Sequence, residues 1–133
     1  MVRTLFKGVT GSHAYGIATP ESDIDYLEII QAPTQDFLGL KHIKDAWFQT
    51  REEGDITTWE VGKWCHLLLQ GNPAAIEVLW VDYTVEFICP EIETLCMKRQ
   101  NLLSKAMVPR YCGFADSQYR KLIQHGVRVE DKL

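Results

Sequence analysis

Apolar and polar positions change period several times along the chain, and each change marks an element. Thr4 to Val9 reads as a strand that runs into a turn at Gly11-Ser12. Ala14 to Ala18 predicts a short helix or turn, which Pro20 prevents from continuing. A second β-rich strand runs from Asp23 to Gln31. Ala32-Pro33-Thr34 then breaks the pattern, and Gln35 to Leu40 predicts one helical turn carrying Phe37 and Leu38 inward. Ile43 to Thr50 alternates as a third strand. Glu52-Glu53-Gly54 separates it from Asp55-Ile56-Thr57-Thr58, with Gly54 allowing a hairpin turn.

The second half is mostly helical in period. Thr58 is placed to cap a helix running to about Gln70, with Gly71 closing it. Val61, Trp64, Cys65, Leu68 and Leu69 form its apolar stripe, which is expected to pack on the sheet. Asn72-Pro73 opens another helix from Ala74 to about Trp80. Val81 to Cys89 alternates Tyr83, Val85 and Phe87 with Asp82, Thr84 and Glu86, which fits a half-exposed edge strand or an extended loop. Helices follow from Glu91 to about Lys105 and from about Pro109 to Gln124. The second is read as a packing helix with Tyr111, Phe114, Ala115, Gln118, Tyr119 and Leu122 near one face. Gly126 ends it and 127–133 reads as a loose tail. The sum is an α/β (α+β) domain, a small mixed β-sheet flanked by helices. Residues 1–89 form the core, and 90–133 form a C-terminal helical segment packed on the same single domain.

Composition narrows the class. The 133 residues are 46% hydrophobic and 24% charged, ordinary for a soluble globular domain, with no apolar run long enough to span a bilayer. Met1 to Lys7 lacks the apolar segment of a signal peptide. Cys65, Cys89, Cys96 and Cys112 lie without zinc-like spacing, which points to reduced, mostly buried thiols and a cytoplasmic location. Charge is uneven: residues 1–97 hold 6 basic and 15 acidic side chains, whereas 98–133 hold 8 and 3. The basic tail suits either a polyanionic substrate or a solvated helix face.

The acidic part contains the chemistry. On a strand, Asp23 and Asp25 project to the same side while Ile24 faces the other way. Two like charges so close repel unless a proton or cation lies between them, and a hard Mg²⁺ ion suits a pair of carboxylates together with substrate phosphates. Gly11 and Ser12 supply a turn whose backbone N–H groups and hydroxyl can approach phosphate oxygens, and Ser22 is placed to assist by hydrogen bonding. Glu28 falls at an odd spacing and so leaves that face. If the strand after Gly54 pairs beside the second strand, Asp55 comes to lie next to Asp23 and Asp25, with Glu52, Glu53 and Glu60 as nearby alternatives. Lys63 is read either as a ligand for the outer phosphates or as a surface lysine. Tyr15 and Tyr26 are candidates to stack on a base or to pack in the core. Trp80, Tyr83 and Phe87 fit an exposed interface, including one between copies of the chain, or a covered core edge.

A Gly-Ser pair followed about ten residues later by Asp-Ile-Asp-Tyr resembles the signature of the DNA polymerase beta-like nucleotidyltransferase superfamily. Gly11-Ser12-His13-Ala14-Tyr15-Gly16, Thr19-Pro20-Glu21-Ser22-Asp23-Ile24-Asp25-Tyr26, Gly71-Asn72-Pro73 and Ile76-Glu77-Val78-Leu79 are similar to the branch called the RNA repair pathway DNA polymerase beta family, over roughly Leu5 to Trp80. The resemblance implies the minimal nucleotidyltransferase fold and transfer of a nucleoside monophosphate from a nucleoside triphosphate to a hydroxyl acceptor, with pyrophosphate released. It implies Asp23, Asp25 and Asp55 as ligands of two Mg²⁺ ions (Mn²⁺ as substitute), with Asp55 placed to accept the acceptor's proton. It also implies a nucleic-acid acceptor such as an RNA end. A protein hydroxyl acceptor, a non-catalytic nucleotide-binding module and a metal-dependent phosphohydrolase are the rival readings. Members of that branch carry more helical sequence beyond the region of Gln124, so a second subunit is one expected source of base and acceptor contacts.

Overall fold

The computed structural model describes residues 1–80 and 85–124. Five strands form one mixed sheet: β1 (Arg3–Thr10), β2 (Asp25–Gln31), β3 (Ala46–Arg51), β4 (Gly54–Glu60) and β5 (Val85–Ile88), in the spatial order β3-β4-β2-β1-β5. Only β2 and β4 run parallel; the other neighbours are antiparallel. The β3–β4 hairpin therefore folds back so that its second strand lies beside β2 with both strands starting at the same sheet end. Six α-helices accompany them among the described residues: α1 (Gly11–Ala14), α2 (Thr34–Leu38), α3 (Val61–Leu69), α4 (Pro73–Glu77), α5 (Pro90–Met97) and α6 (Met107–Gln124).

Register assigns the two faces. Phe6 pairs with Ile29 and with Ile88, and Ile29 pairs with Trp59, so these four side chains share one face. Leu27 joins them by strand alternation. Trp64 of α3, Ala75 of α4, Val78, Leu79 and Ile92 of α5 close over that face as one cluster. Trp64 and Ile29 are almost wholly buried, each worth about 1.5–3 kcal/mol by area removed from water. The indole N–H of Trp64 donates to the Ala75 carbonyl at 3.0 Å, so the largest core side chain leaves no polar atom unsatisfied. The opposite face carries Lys7, Glu28, Thr58 and Trp47, a mixed set that suits a sheet solvated on one side.

Several boundaries differ from those the pattern suggested. β4 continues through Thr58 to Glu60, because β2 and β3 supply ladder partners on both sides. Thr58 is consequently a strand residue whose hydroxyl donates to Glu28 at 3.4 Å. Glu60 takes over as the cap of α3, its carboxylate accepting the Gly62 N–H at 2.6 Å. Asn72 caps α4 as expected, accepting from the Ala75 N–H at 3.2 Å, and Gly71 sits at φ +74° where the preceding helix ends. Phe37 and Leu38 point outward, not inward, and Cys65 and Cys112 are exposed instead of buried. In α6 only Met107 is buried, and Phe114 and Tyr119 lie open, so this helix does not pack along its apolar face among the described residues. β5 is an edge strand with Phe87 half exposed. The expected run over 81–84, including Tyr83, lies outside the described residues, as does 125–133. No helix among the described residues is long and apolar enough to cross a membrane.

Candidate active site

The end of β1, the start of β2 and the start of β4 meet at one edge of the sheet. Thr10 pairs with Asp25, and the parallel register of Tyr26 with Ile56 brings Asp55 beside Asp25. The Asp55 backbone N–H donates to Asp25 Oδ1 at 2.9 Å. Residues 30 positions apart in sequence are thus joined through the carboxylate itself. Both side chains are half-buried.

Two glycines allow this approach. Gly54 adopts φ +143°, and a Cβ there would lie 2.0 Å from the Ile24 carbonyl oxygen. The turn backbone is pressed directly against the Asp23-Ile24-Asp25 segment. The contact is reinforced by the Ile24 N–H, which donates to the Glu53 carbonyl at 2.8 Å. That bond also explains why β2 begins at Asp25 and not at Asp23, since Ile24 is engaged by the hairpin turn. Gly11 adopts φ +69°, and a Cβ on it would lie 2.8 Å from Asp25 Oδ2. The Gly-Ser turn and the first strand carboxylate are therefore in direct apposition.

Asp23 is exposed and precedes the strand, adjoining this pair without closing onto it. No three His, Cys, Asp or Glu side chains among the described residues are drawn together as a metal-holding group. Asp25 and Asp55 neighbour one another at the strand starts, with Asp23 two residues before Asp25. Carboxylate oxygens such as those of Asp23, Asp25 and Asp55 are the donor type that a hard divalent cation takes.

The loop between α1 and β2 is braced from within. His13 Nε2 lies 3.1 Å from the Ser22 carbonyl oxygen, which can only accept, so the ring nitrogen carries the proton. Ser22 Oγ accepts the Thr19 N–H at 2.9 Å and lies 3.1 Å from the Thr19 hydroxyl. The Ser22 side chain thus organises the loop before the first aspartate. Tyr15 donates its hydroxyl to Glu77 of α4, tying the end of the Gly-Ser segment to the helical layer. Burial, followed by the Glu77 charge, pushes the Tyr111 phenol above its usual value, so Glu77 also influences α6. No local pattern marks this contact, since its two residues lie 62 positions apart.

Lys63 stands apart. It follows the far end of β4, and the strand from Asp55 to Glu60 spans about 17 Å at 3.3 Å per residue. Its ammonium instead faces Asp45 at 3.9 Å. Although near Asp55 in sequence, it is carried away from that residue by the extended strand. Glu60, one alternative to Asp55, is removed by the same strand and buried as a helix cap. Glu28 accepts from Thr4 at 3.0 Å and from Thr58, on the face away from the helices.

The sequence pattern of the RNA repair pathway DNA polymerase beta family matches residues 1–132. Among curated proteins, the uncharacterised 38.9 kDa protein of the nrdC-mobD intergenic region of Enterobacteria phage T4 is 24% identical over 139 residues. The match covers 96% of this chain and 41% of the phage protein, so the chain spans less than half of that relative's length. No solved structure matches.

Proposed function

The chain belongs to the RNA repair pathway DNA polymerase beta family, and from that membership we propose that it transfers a nucleoside monophosphate from a nucleoside triphosphate to a hydroxyl acceptor, an RNA end foremost. The supporting observation is the Asp55 N–H bonded to Asp25 Oδ1, which holds Asp55 beside the Asp25 carboxylate, itself lying against Gly11 of the Gly-Ser turn. In the reaction, the acceptor oxygen bonds to the α-phosphorus while the bond to the pyrophosphate oxygen breaks. The acceptor's proton passes to Asp55.

Asp23, Asp25 and Asp55 hold Mg²⁺, two ions in this reading, with Mn²⁺ as a substitute. When bound, Mg²⁺ supplies Lewis-acid activation of the acceptor oxygen and neutralises triphosphate charge. Gly11 and Ser12 receive the triphosphate through backbone N–H groups and the Ser12 hydroxyl. Ser22 acts through the loop that carries Asp23, as its bonds to Thr19 indicate. The chain's own contribution is positioning, because the glycine contacts leave Asp25 and Asp55 little freedom to separate.

Incubation with each α-labelled nucleoside triphosphate, Mg²⁺ and RNA, DNA or protein acceptors tests this. Labelled RNA is expected, with Asp25→Asn and Asp55→Asn each lowering the rate by about two orders of magnitude. Labelled protein would replace the acceptor. Absence of transfer to every acceptor, or transfer unaffected by Asp25→Asn, would overturn the reading.

A further inference from the structure

The sheet end opposite the aspartates holds a cavity of about 620 Å³. Ile30 and Ala32, both buried, form part of its lining together with Val2, and Trp47 contributes an aromatic surface. Lys41, His42 and Lys44 follow one another along its rim, all three exposed. Lys44 Nζ stands 6.0 Å from the centre of the Trp47 ring. Asp36 also lines the cavity, and Asp45 beside it faces Lys63 at 3.9 Å.

Charge is balanced here, unlike in the surroundings. Residues 1–97 contain only 6 basic side chains against 15 acidic, whereas at this end Lys41, Lys44 and Lys63 stand with Asp36, Asp45 and the buried Glu60. Glu21, Asp23, Asp25, Glu52, Glu53 and Asp55 gather at the other, around the β2 and β4 starts and the β3–β4 turn. A polyanion approaching the domain is repelled by the aspartate end until cations neutralise it, whereas at the cavity it meets no such excess of negative charge and finds the exposed Lys41 and Lys44.

We propose that this cavity binds a single-stranded nucleic acid, one base stacking on Trp47 and the adjoining phosphates meeting Lys41 and Lys44. The chemistry is that of strand-binding grooves, in which an aromatic face takes any base and nearby cations follow the backbone. Asp25 and Ile30 lie five residues apart on β2, about 17 Å, the rise of about five stacked nucleotides. By strand alternation the two lie on opposite faces, Asp25 with Leu27 and Ile30 with Glu28, so a strand anchored at Trp47 presents an end to the aspartates only by passing round the open end of the sheet at the β3–β4 turn. This placement rests on the transferase reading for its purpose, whereas binding itself does not depend on it.

The test uses a fluorescein-labelled twelve-nucleotide single strand, as RNA and as DNA, with the unmodified chain in EDTA and without nucleotide. Anisotropy is expected to show saturable binding, weakened about tenfold or more by Lys41→Glu with Lys44→Glu, with a shallower salt dependence. An unlabelled strand of the same sequence is expected to quench tryptophan fluorescence, and Trp47→Phe, which keeps a ring in place, to remove most of that quenching. Asp25→Asn is expected to leave affinity within twofold while lowering transfer about a hundredfold, which separates failure of this site from failure of the reaction. Loss of transfer activity alone would not touch the groove. The proposal is overturned if the lysine variant binds as tightly as the parent. It is equally overturned if Trp47→Phe leaves the quenching intact, if affinity follows Arg110→Glu with Lys121→Glu on α6 instead, or if neither strand binds.

Discussion

The two ends of β4 hold the chain by different means. At its start, Gly54 and Asp55 meet the Asp23-Ile24-Asp25 segment through backbone atoms, with a bare glycine Cα against a carbonyl oxygen and an N–H against a carboxylate. At its finish, Glu60 and Lys63 act through side chains: a buried carboxylate capping α3 and a partly exposed ammonium near Asp45. Backbone contacts of the first kind leave almost no tolerance for added atoms. Side-chain contacts of the second kind can rearrange, so the aspartate end should be far more sensitive to small substitutions than the lysine end.

Gly54→Ala is the sharpest way to test that difference. The added methyl would collide with the Ile24 carbonyl in a backbone region that alanine rarely enters, and destabilisation of about 3–5 kcal/mol is expected. Chemical denaturation measures it, and a loss below about 1 kcal/mol would show that the turn can draw away from Ile24 freely. Gly11→Ala should cost less, about 2 kcal/mol, because the clash is with the Asp25 carboxylate, a side chain able to turn aside. That turning displaces a proposed metal ligand, so nucleotidyl transfer should fall much further than stability does. Equal losses in both would place Gly11 in the scaffold only.

Glu60→Ala probes the other end. Removing an N-cap acceptor is expected to cost about 1 kcal/mol. A second readout comes from Cys65, an exposed residue whose thiol is still partly desolvated by its neighbours and is pushed above its usual value first by that desolvation and then by the Glu60 charge. Without that charge the thiolate forms more readily, so alkylation of Cys65 at fixed neutral pH should quicken. An unchanged rate would leave desolvation as the sole cause.

The aspartate end was also the more legible of the two in the sequence. The Gly-Ser turn, the Asp-Ile-Asp run and the glycine before Asp55 are local signals, and local signals specify turns. Joining Asp55 to Asp25 required one pairing assumption, and the parallel β2–β4 register supplies that pairing. What stayed hidden depended on partners distant in sequence. β4 outran Thr58 because two neighbouring strands pair with it, and the cap moved to Glu60. The Tyr15–Glu77 bond spans 62 residues and has no local mark. The apolar face of α6 was visible in its periodicity, but periodicity states only that a face is apolar and not what covers it.

Lys63 provides the smallest expected effect and a direct check on distance as the deciding factor. Its ion pair with Asp45, at 3.9 Å and with both side chains substantially solvated, should contribute no more than about 0.5 kcal/mol. Lys63→Ala should therefore leave the denaturation midpoint nearly unchanged. Because about 17 Å of strand separates this end from Asp55, the KM for nucleoside triphosphate and kcat should stay within twofold of the parent. A tenfold rise in KM at unchanged stability would mean that the triphosphate reaches along the sheet, joining the two ends that the structure keeps apart.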